Sequence, residues 1–316
     1  MRKLPYCDYP KTADTDAHGF QSLPTVLPIL NLDRAESYRS KQYNLVVTDT
    51  ISRQKVLQLA RVIAESFVFK EPMTRHLQPP MNAPSNINSI IHRDPFGEHY
   101  FGEWTKENLT CWIIRLFLLT DPRSMLNNIE INQALLTVSM AMMNEDGEII
   151  GGSLNMPFSF KNLDTNYRTN DPFINALFFF FIPIELFLIS QETVACSYLG
   201  EKYPVFKSAA ENGKVGILFM IARSPKLPGE DAFELVAATA ERFKELGYQY
   251  MVSGAANQWT GAALEILGGV RVHYAPYRTL QRVNQSAEGL AEDSYSTDGY
   301  IASKDSGCMF YILRLV

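Results

Sequence analysis

Two groups of residues in this chain have types and spacing suited to chemistry. One is the run Lys226-Leu227-Pro228-Gly229-Glu230-Asp231-Ala232, set between an apolar stretch and a periodic helix. The first N–H groups of a helix have no intrahelical partner and its dipole is positive there, so such a run can receive an anion. The other group is acid–base: Glu71 with His76, His273 with Tyr274 and Tyr277, and Glu185 inside Phe178 to Phe187. An imidazole titrates near neutrality, and a carboxylate sunk in apolar surroundings has a raised pKa that suits a base. A plain alternative stays open for each. Two carboxylates after Gly229 make a well-started helix, an aromatic in a strand packs, and Glu71 and His76 read equally as surface residues.

The elements that must position these groups are legible between Val215 and Gly269. Val215 to Ala222 is a continuous apolar run of strand length, the pattern of a parallel strand covered on both faces. Two prolines and Gly229 interrupt it. A helix comes next, with Phe233, Val236, Ala237, Ala240 and Phe243 on one face and Glu234, Glu241, Lys244 and Glu245 on the other. Gly247 stops that helix, Tyr248 to Val252 reads as the next strand, and Asn257 starts a second helix that ends at Gly268-Gly269. A strand–helix–strand unit of this length closes right-handed, with any ligand beyond the carboxyl ends of its strands. Upstream, Tyr43 to Val47 is expected as a first strand and about Ser52 to Phe69 as a helix. Leu135 to Met143 and Glu148 to Met156 are expected as two hairpin strands joined at Asp146-Gly147, and Cys308 to Leu315 as a closing strand.

With these stretches in this order, the chain resembles the GNAT superfamily of acyl-CoA-dependent N-acetyltransferases, as a divergent member. The loop at 226–232 is similar to the family's pyrophosphate loop. Asn257 to Gly269 is similar to its Asn-led helix, with Gly268-Gly269 in place of Gly-Phe. Met142 to Gly152 is similar to its central hairpin, and the helix before Glu71-Pro72 to its opening helix. The resemblance covers somewhat under half of the chain. It implies an α/β fold built on a mixed, partly antiparallel sheet, with acetyl-CoA as cosubstrate and a small-molecule amine as acceptor. It also implies a cofactor site: backbone groups of Met220, Ile221 and Ala222 along the pantetheine, the amides of Gly229, Glu230, Asp231 and Ala232 with Lys226 at the pyrophosphate, and Asn257 on the cofactor arm.

The chain departs from the family pattern in two ways. Glu230 and Asp231 stand where small neutral residues are usual, and they would compete with a bound phosphate. Leu264 stands where relatives often carry a Tyr, and residues 215–222 contain no carboxylate. The catalytic candidates are therefore Tyr274, Glu71 and His76. Beside the N-acetyltransferase reading stand a non-catalytic GNAT-like protein that binds CoA or another ligand as a sensor, and a GNAT-like fold without CoA.

The chain's 316 residues are more than such a domain needs. Residues 1–45, rich in Pro, Asp and Tyr, are expected as an extended arm, and 46–316 as one domain with insertions near 80–135 and 157–214. A net charge of −5 with no basic run interleaved with aromatics argues against a nucleic-acid partner. Leu177 to Ile189 is shorter than the about 20 residues of a bilayer span and is interrupted by Pro183 and Glu185, so no membrane association is expected. Were that run exposed, it would serve a homodimer. Four scattered cysteines fit reduced thiols in a cytoplasmic protein, with no metal site.

Overall fold

The computed structural model describes residues 19–39, 43–70, 110–111, 114–115, 129–158, 188, 190–224, 227, 231–276 and 307–316. In chain order these form α1 (Leu32–Glu36), β1 (Asn44–Val47), α2 (Arg53–Lys70), α3 (Ile129–Val138), β2 (Met140–Met143), β3 (Ile149–Pro157), α4 (190–202) and α5 (Pro204–Glu211). Next come β4 (Val215–Arg223), α6 (Ala232–Glu245), β5 (Tyr250–Ala255), α7 (Gln258–Ile266), β6 (Val270–Pro276) and β7 (Gly307–Arg314). The strands make one seven-stranded sheet in the order β1-β2-β3-β4-β5-β7-β6. Every neighbouring pair is antiparallel except β4 with β5, which are parallel. The α/β fold with a mixed sheet is thus as expected.

The sheet is covered on both sides. One layer joins α2, α4 and α5 to Leu154, Ile217, Met220, Ala222 and Val252. The other joins α6 and α7 to Leu218, Met251, Tyr311 and Leu313. Burial on both faces is why the central strands lack polar alternation. Gly216 lets α6 lie close, since a Cβ there would stand 2.3 Å from the Phe243 ring. Gly247, at φ +78°, closes α6 with a backbone bond from Tyr248 N to Phe243 O of 3.0 Å, and the Tyr248 ring packs edge-on against Phe243. This is a glycine-terminated helix end with its accompanying apolar contact.

Two expectations are corrected. Residues 135–138 end a helix rather than begin a strand, because a short apolar run carries no period that separates the two. The strand of the hairpin begins at Met140, and the turn with Gly147 at φ +76° lies where the Asp-Gly pair put it. Glu234 is buried instead of facing solvent. Its side of α6 is covered by the N-terminal segment, where Tyr38 packs on Phe233 and Arg39 pairs with Glu241 while also feeling the charge of Glu234.

Residues 19–31 run along the β6 edge and around the end of the sheet. Phe20 bridges His273, Gln21 N donates to Val272 O at 2.9 Å, and Leu30 N donates to Arg314 O at 2.7 Å. Pairing of this kind occupies the open donors and acceptors of an edge strand.

Candidate functional site

Strands β4 and β5 pair from Val215–Tyr250 to Leu218–Ser253 and no further. Beyond that point β4 continues to Arg223 against β3 alone, and β5 continues through Gly254 and Ala255 against β7 alone. The two middle strands therefore open into a V at their carboxyl ends. A register shift causes the departure: Leu154 faces Met220 and Asn155 faces Leu218, so Phe219 is an extra residue in β4. A bulge of this kind bends its strand and re-aims the residues beyond it. Buried polar groups hold it in place. Asn155 Nδ2 donates to Val138 O at 2.8 Å and Ser153 Oγ at 2.9 Å, and Ser153 Oγ shares a hydrogen bond with Thr239 of α6. On the other side Ser253 Oγ donates to Leu218 O at 3.1 Å, at the last paired rung.

At the start of α6 the residues form a charged cluster. Asp231 is the N-cap and is buried, but its carboxylate caps no α6 amide. Oδ2 instead accepts the Tyr43 hydroxyl at 2.9 Å. Burial and that hydrogen bond push the Tyr43 phenol up to about 12. Arg223, at the end of β4, is pulled below its ordinary value by burial, with Asp231 and Tyr43 working in the opposite sense. The place that would receive an anion thus already holds one arginine, one buried carboxylate and a second carboxylate, Glu234, one turn on.

Asn257 caps α7. Its Oδ1 accepts Trp259 N at 3.1 Å, Thr260 N at 3.0 Å and the Thr260 hydroxyl at 3.2 Å, which fixes the plane of the amide. Met220 and Ala222 are buried and Ile221 half-buried along the open half of β4, and Ala232 is buried in the first turn of α6. Tyr274 is buried in the α6–α7 layer, on β6, with β7 standing between it and β5. Leu264 is fully buried in the same layer. Glu71, His76, Lys226, Gly229, Glu230, Tyr277 and Glu185 lie outside the described residues. The fold therefore brings Met220, Ile221, Ala222, Asp231, Ala232 and Asn257 to the open end of the middle strands, and it places Tyr274 two strands away.

Sequence reasoning passed over three residues. Tyr43 and Arg223 join the site only through folding, one from the first strand's approach and one from the end of β4. Glu192 had a readable signal. It lies in the stripe Leu188, Glu192, Ala195, Cys196 and Leu199, a carboxylate at helical spacing among apolar side chains, and it is buried there.

No protein-family model matches this sequence, and no curated protein matches it. Solved structures do. The C-terminal condensation domain of Ebony, in complex with beta-alanyl-dopamine, superposes with a TM-score of 0.50 at 11% identity, covering 87% of this chain and 99% of that one. A mosquito arylalkylamine N-acetyltransferase, like 5b, superposes with a TM-score of 0.51 at 11% identity, covering 86% of this chain and all of that one. At such identity the likeness is one of fold. This chain has the fold of the GNAT acetyltransferases, in a divergent sequence, as the order of its motifs implied. No helix among the described residues is long and apolar enough to cross a membrane.

Proposed function

We propose that this protein moves an acetyl group from acetyl-CoA to the nitrogen of a small amine. The observation that carries this reading is the V between β4 and β5, opened at Phe219, with Arg223 at the end of β4 feeling the charge of Asp231 at the start of α6. A pantetheine arm laid there would pair with the backbone of Met220, Ile221 and Ala222 as an added strand does. Asn257, its amide plane set by α7, would steady the arm. Lys226, Gly229, Glu230, Asp231 and Ala232 would meet the pyrophosphate, with Arg223 adding a cation that the sequence alone did not suggest. Direct attack of an oriented amine needs positioning more than covalent catalysis. The same reading takes a small amine as the acceptor and the cytoplasm as the compartment.

Calorimetric titration with acetyl-CoA, followed by hydrogen exchange, tests it. Micromolar binding should slow exchange of the amides at 219–223 and 254–256 and leave those of β1 unchanged. Absence of binding, or protection elsewhere alone, would overturn the proposal.

The carboxylates at the start of α6 favour a second reading, in which the groove takes a ligand without turnover. They also make a prediction. Asp231→Asn keeps an acceptor for Tyr43 but removes one like charge from the phosphate end, an effect of about 1 kcal/mol between charges at ~4 Å in a water-like medium and more where partly buried. Acetyl-CoA should bind about tenfold tighter to the variant, whereas pantetheine, which lacks the phosphates, should bind both proteins alike. Equal acetyl-CoA affinity for the two proteins would mean that the phosphates do not approach Asp231.

A further inference from the structure

Buried among apolar side chains, Glu192 makes no hydrogen bond or ion pair with any described residue, and it has no part in the donor site above. It belongs to the inward stripe of α4, with Leu188, Ala195, Cys196 and Leu199 around it. These neighbours share one apolar layer with Phe67 of α2 and with Met220 and Ala222 from the open half of β4. The layer lies across the sheet from α6, so Glu192 and the charged cluster at Asp231 are on opposite faces.

The height of Glu192 along the strands is set by one contact of α4 and one of Tyr203, the residue that follows it. Tyr198 stacks on Phe20 with ring centroids 4.2 Å apart, and Phe20 bridges His273. Through Phe310, His273 is level with Gly254, the first residue of β5 past its last pairing with β4. Further on, the Tyr203 hydroxyl donates to the carbonyl of Pro24, which lies along the segment descending from Phe20 toward Arg314. The helix thus runs from the open end of the V toward its closed end. Six residues before Tyr198 amount to about 9 Å of helix, which puts Glu192 on the open side.

We propose that Glu192 is the carboxylate that receives the ammonium of the acceptor amine and takes its proton. This rests on the acetyl-transfer reading of the same V. The amine arrives as R–NH3+ and gives one proton to a Glu192 oxygen. Its freed lone pair attacks the thioester carbonyl carbon. The C–N bond forms and the C–S bond breaks, with its electron pair going to sulfur. A second N–H proton ends on that sulfur, giving the amide and a thiol.

The surroundings suit that role. Burial pushes the Glu192 carboxyl up to about 8, and Cys196, one turn on, feels its charge, its own thiol being pushed well up, first by burial and then by that charge. The parts of α2, β4 and β5 in this layer are apolar, and His273 of β6 is stacked with Phe20 and Phe310. Among the described residues no cation is paired with this carboxyl, so a cationic ligand would supply its countercharge, and it titrates near the pH at which a general base is effective.

The test uses the full chain, acetyl-CoA and four primary amines: 2-phenylethylamine, agmatine, spermidine and lysine. Wild type, Glu192→Gln and Glu192→Asp are compared. The expected result is a kcat about 100-fold lower in Glu192→Gln with the best amine. The acetyl-CoA Kd should stay within twofold, and the rise of kcat toward pH 8 expected of wild type should be absent. Glu192→Asp should recover part of the rate, which a merely structural defect would not produce. Wild-type kcat and pH profile in Glu192→Gln would overturn the assignment and leave the donor site standing. Acetyl-CoA binding by wild type without acetylation of any of the four amines would overturn it as well. Failure of wild type to bind acetyl-CoA would remove the donor site and this assignment together.

Discussion

The Glu192→Gln variant is expected to unfold at a higher temperature than wild type above about pH 8, and to lose that advantage as the pH falls toward 4. The folded carboxyl sits at about 8 against an ordinary value of 4.5, raised by burial. Below about 4.5 the group is protonated in both states and adds nothing. Between the two values the unfolded chain releases a proton that the folded chain retains, so stability falls as the pH rises. Above 8 the group is charged in both states, and the full cost of keeping it in the apolar layer is present. At 1.36 kcal/mol per pKa unit that cost is on the order of 3–5 kcal/mol. The Gln side chain carries its own burial cost, but that cost does not vary with pH. The informative quantity is therefore the difference between variant and wild type at pH 4 and at pH 9, read by chemical denaturation. A difference that does not change between those pH values would show that Glu192 is not held neutral by burial. Loss of activity together with a gain of stability is the signature of a side chain retained for function.

Phe243→Ala is expected to cost about 3–5 kcal/mol, as large-to-small changes of a fully buried aromatic do. The ring is fully buried in the α6–α7 layer. It lies over Gly216 of β4, and Tyr248 packs edge-on against it at 4.9 Å between centroids. Its removal leaves a void that the glycine beneath cannot fill, since Gly216 has no side chain to relax into it. The effect should reach the site, because this contact docks α6 on the strand that opens beside it. Denaturant titration would register the loss as a lower midpoint with an unchanged slope, whereas a loss under about 1 kcal/mol would mean that α6 is seated by other contacts.

Much of this fold could be read from local pattern. The apolar run at 215–222, the i, i+3, i+4 spacing from Phe233 to Phe243, and the glycines at 147, 247 and 268 each act within a few residues, and each element lies where its pattern placed it. The miss at 135–138 has the same root, since a brief apolar run has no period of its own. Glu234 was misjudged because the side of a helix that meets solvent depends on what else covers it, here residues 38 and 39 from far earlier in the chain.

The candidate site divides along the same line. Asn257 is legible as a residue that must begin a helix, because capping is a contact between near neighbours. The opening between β4 and β5 is not legible, because it depends on one extra residue, Phe219, counted against a different strand. Nor is the meeting of Tyr43 with Asp231, 188 positions apart. By itself, then, the sequence determined the order and kind of the central elements and where their ends fall, since backbone propensity, periodicity and capping are local energies. Which polar groups share a site, which carboxylates are buried, and where the two middle strands part were decided by tertiary packing alone, because register, burial and charge pairing are set by neighbours that the chain supplies from a distance.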